Sequence, residues 1–262
     1  MKVKSFIILF LLIGQVLYSQ LNKFDAPEKI DDKGIVYEFR KSNWDGTHAS
    51  SIFLYIADNN KLESFKYLKG TDEATLVTAI IDWNTFSVIK FQNHKLTTSK
   101  EPQLIATLFS SSNKTIQVRV GDMSDSLNIE GLPWQSYDFD FAGLSFIWRA
   151  IKDKKRSFSF HIADADLLNG KMAFVNKGLV TVNFTGLEKI HNKDCYKYFV
   201  NGEGLENKGG FIWIDPTSWM IEKYMIALPD EPGFANGMLE LKDKTKMTQK
   251  EWENFKIERL KN

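Results

Sequence analysis

The chain is poor in the features that fix a protein's class at a glance. It has one cysteine, Cys195, among 262 residues, so no internal disulfide staples it and a large apolar core has to carry its stability. It has no excess of either charge. Its 34 Lys and Arg face 33 Asp and Glu, which excludes the basic surface that a nucleic-acid binder needs for phosphate contacts. The densest basic run, Lys152 to Arg156, suits the solvated end of a helix, where cations meet the negative dipole end. No apolar stretch is long enough to cross a bilayer as a helix, and nothing marks an integral membrane protein. The longest run, Phe6 to Ile13 (FIILFLLI), falls far short of the roughly 20 residues that a spanning helix takes.

That run has the dimensions of a signal-peptide core. Lys2 and Lys4 precede it, Gly14 follows it, and cleavage is expected after Ser19, leaving Gln20 first. Leu17 is larger than the small residue usual three positions upstream of a cut. No cysteine lies near the cut to take a lipid anchor. The expectation is an exported, soluble, periplasmic protein with residues 1–19 as signal peptide. Residues 20–262 show no composition break or flexible linker and read as one domain.

Aromatics, by contrast, are plentiful. The chain holds 20 Phe, 8 Tyr and 7 Trp, 13% of all residues, and such residues favour strands and bury large areas. Period-two alternation or short apolar runs mark strands at Ile35–Phe39, Ile52–Ile56, Phe65–Tyr67, Leu76–Ile81, Phe86–Phe91, Leu104–Phe109 and Ile116–Val120. Spacings of this size read as an antiparallel meander, because no helix-length segment separates the strands. The middle changes period. Leu144, Ile147, Trp148 and Ile151 recur at helical spacing, predicting a helix from about Phe141 to Lys152 with Asp138 or Asp140 as cap. Strands resume at Phe158–Ile162, Leu179–Phe184, Tyr196–Val200, Gly209–Ile214 and Ile221–Leu228, with Asp215-Pro-Thr217 as a turn. His161-Ile-Ala-Asp-Ala-Asp166 reads as a polar loop at a strand end, next to a turn at Asn169-Gly170. Thr248-Gln-Lys-Glu251 is a capping box, and Met247 with Trp252 a hydrophobic staple, so a short helix starts near Gln249.

This order, with Phe158-Ser-Phe160, Asp194-Cys-Tyr-Lys-Tyr198, Gly210-Phe-Ile-Trp-Ile-Asp-Pro216 and Met220-Ile-Glu-Lys-Tyr224, resembles a family of exported bacterial proteins of unknown function. That family is related to the periplasmic lipoprotein carriers of the LolA and LolB type. The resemblance is clearest over residues 140–228, and its motifs are structural rather than chemical. It implies a mainly β (α+β) fold: a strongly curved, open antiparallel half-barrel, with a central helix over its concave face and a short C-terminal helix.

Catalytic signatures are missing. His48, His94, His161 and His191 stand at no metal-ligand spacing. Gly143-Leu-Ser145 is not a nucleophile elbow, and the glycines at 202, 204, 209 and 210 precede no helix, as a phosphate loop requires. Cys195 lies in an alternating segment as a packed strand residue. No catalytic residue, metal ligand or cofactor is therefore assigned. What remains is apolar surface, for a half-barrel beneath a helix is a natural place for an apolar pocket. The candidate lining is Phe86, Trp134, Phe141, Trp148, Phe158 and Phe160. The leading expectation is a non-enzymatic carrier or binding protein of the cell envelope, whose partner is a lipid or a lipoprotein acyl chain. Two alternatives stand beside it. One is a structural or interaction module with a filled core, whose partner is another envelope protein recruited by an edge strand. The other is a hydrolase of an envelope polymer.

Overall fold

The computed structural model describes residues 32–67, 70–82, 87–110, 115–128, 134–136, 142–168, 171–229 and 233–261. The expected signal peptide, the caps Asp138 and Asp140, the Asn169-Gly170 turn, Phe86 and Phe141 lie outside these residues, as does the side chain of Ile147.

The described residues form one 15-stranded sheet that is curved, open and not closed into a barrel. Strands β1 (Ile35–Ser42), β2 (Ser50–Asp58), β3 (Lys61–Tyr67), β4 (Glu73–Asp82), β5 (Ser87–Thr97), β6 (Gln103–Ser110), β7 (Thr115–Val120) and β8 (Met123–Asn128) form an antiparallel meander. A two-residue strand β9 (Trp134–Gln135) and helix α1 (Ala142–Ala150) interrupt it. The second meander is β10 (Phe158–Leu168), β11 (Lys171–Ile190), β12 (Lys193–Asn201), β13 (Gly210–Ile214), β14 (Ile221–Ile226) and β15 (Gly237–Lys246), followed by helix α2 (Gln249–Lys261). β15 pairs antiparallel with β1 and so joins the two halves, while β9 lies parallel to β10 at the far edge.

Alternation along the strands builds two cores on the two faces of one sheet. In β2 (SSIFLYIAD), Ile52, Leu54 and Ile56 face the concave side, and Phe53 and Tyr55 the convex side. Both sets are buried, which is why this strand reads as a continuous apolar run rather than as alternation. The concave core joins residues from both meanders, among them Tyr37, Phe39, Val77, Ile116, Val182, Tyr198 and Ile221, with Leu144, Trp148 and Ile151 from α1 and the turn beside it. The convex core lies under α2: Trp252 stacks on Tyr55 at 5.2 Å and meets Phe65 edge-on at 6.0 Å. The staple and the capping box are both present. Met247 packs against this core, and Thr248 N–H donates to Glu251 Oε2 at 2.7 Å. The strong curl brings the sheet's first edge round towards the second half. Phe174 N–H of β11 donates to Asp125 Oδ2 of β8 at 3.2 Å, with no strand ladder between them.

Three sequence expectations need correction. The helix stops at Ala150 rather than Lys152. Lys154 Nζ donates to the carbonyls of Ile151 at 2.7 Å and Arg149 at 3.3 Å, so a cation closes the end early by satisfying its free acceptors. His161–Asp166 is not a loop but the middle of β10, where a register shift between Ile162 and Ala163 accommodates the polar residues and Asp164 is buried. The strands also include β8 and β15, which the sequence did not reveal.

Candidate apolar site under the central helix

The site is assembled from the concave side of β10 to β14 and the inner face of α1. The helical period places Leu144 and Trp148 one turn apart on the same side, and both are buried. Trp148 is fully enclosed: its ring meets Phe158 edge-on at 6.1 Å and Tyr198 at 5.7 Å. Phe160 stands next to Phe158 at 6.4 Å. Between helix and sheet is a void of about 10 Å³, room for a single water. Leu144 and Trp148 roof it, and the inward members of the strands floor it: Phe160 and Ile162 from β10, Val180 and Val182 from β11. Leu205, in a short 3-10 turn between β12 and β13, closes one end.

The lining is apolar except for Gln135, Ser136 and the Trp148 indole N–H. Trp148 Nε1 and Ser136 Oγ are buried without a hydrogen-bond partner. Such groups cost free energy when left unsatisfied in a low-dielectric interior.

Polar contacts hold the helix at its C-terminal end. Arg149 donates through Nη1 to Asp32 Oδ1 at 3.2 Å and pairs with Oδ2 of the same carboxylate, and Tyr37 Oη–H donates to Asp32 at 3.0 Å. All three are buried. Burial, reinforced by the Asp32 charge, pushes the Tyr37 phenol well above its ordinary range. Beyond the helix, Tyr198 Oη–H donates to Lys154 O at 2.8 Å, and the Lys154 ammonium lies 4.5 Å over the Trp219 ring.

Of the six residues proposed from sequence, Trp148 and Phe160 line the void. Trp134 and Phe158 belong to the same core cluster, and Phe158 supports the Trp148 ring. Phe86 and Phe141 fall outside the described residues. The sequence reading missed Ser136, Val180, Val182 and Leu205. Alternation marks Val180 and Val182 as sharing a face, but it does not say which face is concave. Ser136 and Leu205 carry no periodic signal at all.

A second cluster lies at the hairpin end of β11 and β12. An open groove of about 520 Å³ is lined by His191, Lys193, Glu222 and Lys242 among others. His191 Nε2 is 3.1 Å from Glu240 and Nδ1 3.5 Å from Glu222, and Lys193 Nζ donates to both oxygens of buried Glu222 at 3.2 and 3.0 Å. Lys193 neutralises Glu222, and Lys242 pairs with Glu240. Cys195 is fully buried, and desolvation, followed by the Glu222 and Asp215 charges, pushes its thiol up to about 11. It carries almost no thiolate at neutral pH and is no activated nucleophile.

Among the described residues no helix is long and apolar enough to cross a membrane. No protein-family model matches the chain, and no curated protein matches it. Among solved structures, the chain is similar to a Vibrio parahaemolyticus domain named for outer membrane lipoprotein sorting. That match has 12% identity and a TM-score of 0.25, over 96% of this chain and 98% of the other. It is also similar to a DUF1329 family protein from Desulfovibrio piger, with 9% identity and a TM-score of 0.24, over 90% of this chain and 93% of the other.

Proposed function

We propose that the protein is an exported, non-enzymatic binding protein that takes an apolar chain of the acyl kind into its concave core beneath α1. Trp134, Trp148, Phe158 and Phe160 form the wall that the chain meets, and the sequence expectation for Phe86 and Phe141 belongs to the same proposal. One observation supports this reading: the void is walled almost wholly by apolar side chains, and its few polar members, Gln135, Ser136 and the Trp148 indole, include two buried atoms, Trp148 Nε1 and Ser136 Oγ, with no hydrogen-bond partner among the described residues. An apolar body with a polar end matches both features at once. The void of about 10 Å³ does not hold an acyl chain as it stands, so the ligand is accommodated by movement of α1 away from the sheet.

The size of the void also favours a second reading, a filled half-barrel that recruits an envelope partner along an edge. Among the described residues strand β8 has no strand laddered on its outer edge, which only the Phe174 N–H of β11 touches through Asp125, and Met123 to Ser126 are exposed. Strand addition at such an edge is a common recognition mode.

Titration with the fluorescent probe 11-dansyl-undecanoate separates the two. The binding reading expects a saturable single site in the wild type, weakened by Phe160→Asp, with the fold checked by circular dichroism. A wild type that shows no saturable binding of this or any other acyl probe favours the filled module.

A further inference from the structure

Helix α2 covers only part of the convex face, over β1 to β5, and among the described residues no helix lies over the outer side of β12 to β15, where Phe199 is exposed although Cys195 and Trp213 are buried. One cross-strand row on that side is wholly apolar. Phe199, Phe211, Met225 and Met238 pair successively across β12, β13, β14 and β15, and the first two rings are 5.4 Å apart. Met238 pairs with Ser42 of β1, and two residues on the chain presents Trp44. The Trp44 indole donates to Gly237 O at 3.0 Å and its backbone N–H to Asn236 Oδ1 at 2.7 Å, so the ring is fixed in place while 43% exposed. At the other end Phe199 is 36% exposed. Exposed aromatic groups at both ends of a row, one of them anchored by two hydrogen bonds, are not accounted for by packing.

The neighbouring row, about 7 Å further along the strands, is different in kind. It runs Lys197, Trp213, Lys223, Glu240, Arg40. With the ion-paired neighbours Glu188, 2.7 Å from Lys197, and Lys242, paired with Glu240, the patch holds four cations against two carboxylates and stays net positive. Lys197 Nζ lies 4.3 Å over Phe211 and 5.3 Å over Trp213, and Lys223 Nζ lies 5.9 Å over Trp213. The lysine ammonium groups thus lie against the aromatic faces at the border between the two rows.

We propose that these two rows dock the protein on an anionic bilayer surface. An apolar row bordered by a cationic row offers both groups that a membrane interface takes up, apolar side chains for the acyl boundary and lysines for the phosphates. Trp is suited to that boundary, with an apolar body and a polar edge. A protein helix would want a groove, and a row across the convex side of a curved sheet offers a ridge. This inference is independent of the acyl site: it places the protein on a surface, whatever its concave core holds.

The test is co-sedimentation of the full mature chain with vesicles of phosphatidylcholine alone and of equal parts phosphatidylcholine and phosphatidylglycerol. The wild type is expected to sediment with the anionic vesicles, to release at high salt, and to bind the neutral ones far less. Lys197→Gln with Lys223→Gln should weaken anionic binding about tenfold or more, while Lys197→Arg with Lys223→Arg retains it. Trp44→Ser with Phe199→Ser should weaken it as well. All of these variants should still bind 11-dansyl-undecanoate like the wild type, so failure here and failure of the acyl reading are separable. A wild type that ignores anionic vesicles, or charge-removed variants that bind them undiminished, overturns the proposal. So does a wild-type dimer in solution that Trp44→Ser with Phe199→Ser converts to monomer without any vesicle binding, since the row would then be a contact between two copies of the chain.

Discussion

Trp148 concentrates most of what single residues do here. Its place on the helix is legible in the sequence, because Leu144, Trp148 and Ile151 keep the helical period. Its partners are not legible, since Phe158 and Tyr198 come from separate strands. With the ring fully buried against both, Trp148→Ala is expected to cost the roughly 3–5 kcal/mol of a large aromatic truncated in a tight core, read by urea melting. The same change should tighten probe binding, because the vacated volume no longer has to be opened. A cost well below that range would mean that the ring faces a larger hollow. Arg149 and Asp32, 117 positions apart, are likewise beyond any local pattern. Arg149→Leu strands a buried carboxylate, and a loss of about 3–5 kcal/mol is expected. Gly202 is constrained by space. With φ at +143°, a Cβ there would lie 2.2 Å from the Leu179 carbonyl oxygen, so Gly202→Ala should destabilise by about 1–3 kcal/mol. Asp215 sets a pH dependence. Burial pushes its carboxyl up, but the Thr217 N–H, the Lys244 ammonium and the Ser218 hydroxyl outweigh burial and hold it below the usual carboxylate range. A lowered folded value means stability that is present above the unfolded value, near pH 4, and is lost as pH falls through the folded one. Asp215→Asn should therefore lower stability at pH 7 and flatten the acid limb of the stability profile. Melts between about pH 2 and 7 that superimpose for the two proteins would refute that role.

Among the elements, those with one clean period were readable and those with mixed signals were not. Strand β2 shows as an apolar run because two cores claim its two faces. Helix α2 shows through its capping box and staple, both local devices. Strand β15 was missed because Lys242, Asp243, Lys244 and Lys246 crowd its second half, although Leu239 and Leu241 alternate into the concave core. Lys242 pairs with Glu240, while Lys244 lies over the Tyr37 ring and reaches Asp215, placements that only the pairing with β1 and β14 supplies. Residues 161–166 were read as a loop because Asp164 and Asp166 suggest solvent; a register shift in β10 lets the strand continue through them. Helix α2 is tied to the sheet by a polar contact that no spacing foretells: Trp252 Nε1 donates to Glu63 Oε2 at 2.8 Å, and Lys256 Nζ reaches the same oxygen at 3.2 Å. Trp252→Phe keeps the ring and removes one donor from this buried carboxylate. A cost of about 1–3 kcal/mol is expected, and an unchanged denaturation midpoint would show that the bond contributes nothing net.

At the scale of the whole molecule, the architecture follows from a sheet that is too long to stay flat and has two apolar faces to cover. Its concave face closes on itself and on α1, and its convex face is shared between α2 and the aromatic and lysine rows. The family resemblance anticipated the curved open sheet and both helices, and composition anticipated an aromatic core. Neither could give the size of the space under α1, because that depends on how side chains from strands far apart in sequence interdigitate. Export belongs to this scale too: the mature protein is expected to begin near Gln20, and N-terminal sequencing that finds Met1 in the mature protein would contradict it. The central claim is that an acyl ligand occupies the concave core by moving α1 off the sheet. Hydrogen–deuterium exchange of the full mature chain, with and without saturating dodecanoate, tests it most directly. Ligand should speed exchange at the amides of Ala142–Ala150 while β11 to β14 stay protected. Exchange over that helix that is unchanged or slowed by dodecanoate would contradict the claim.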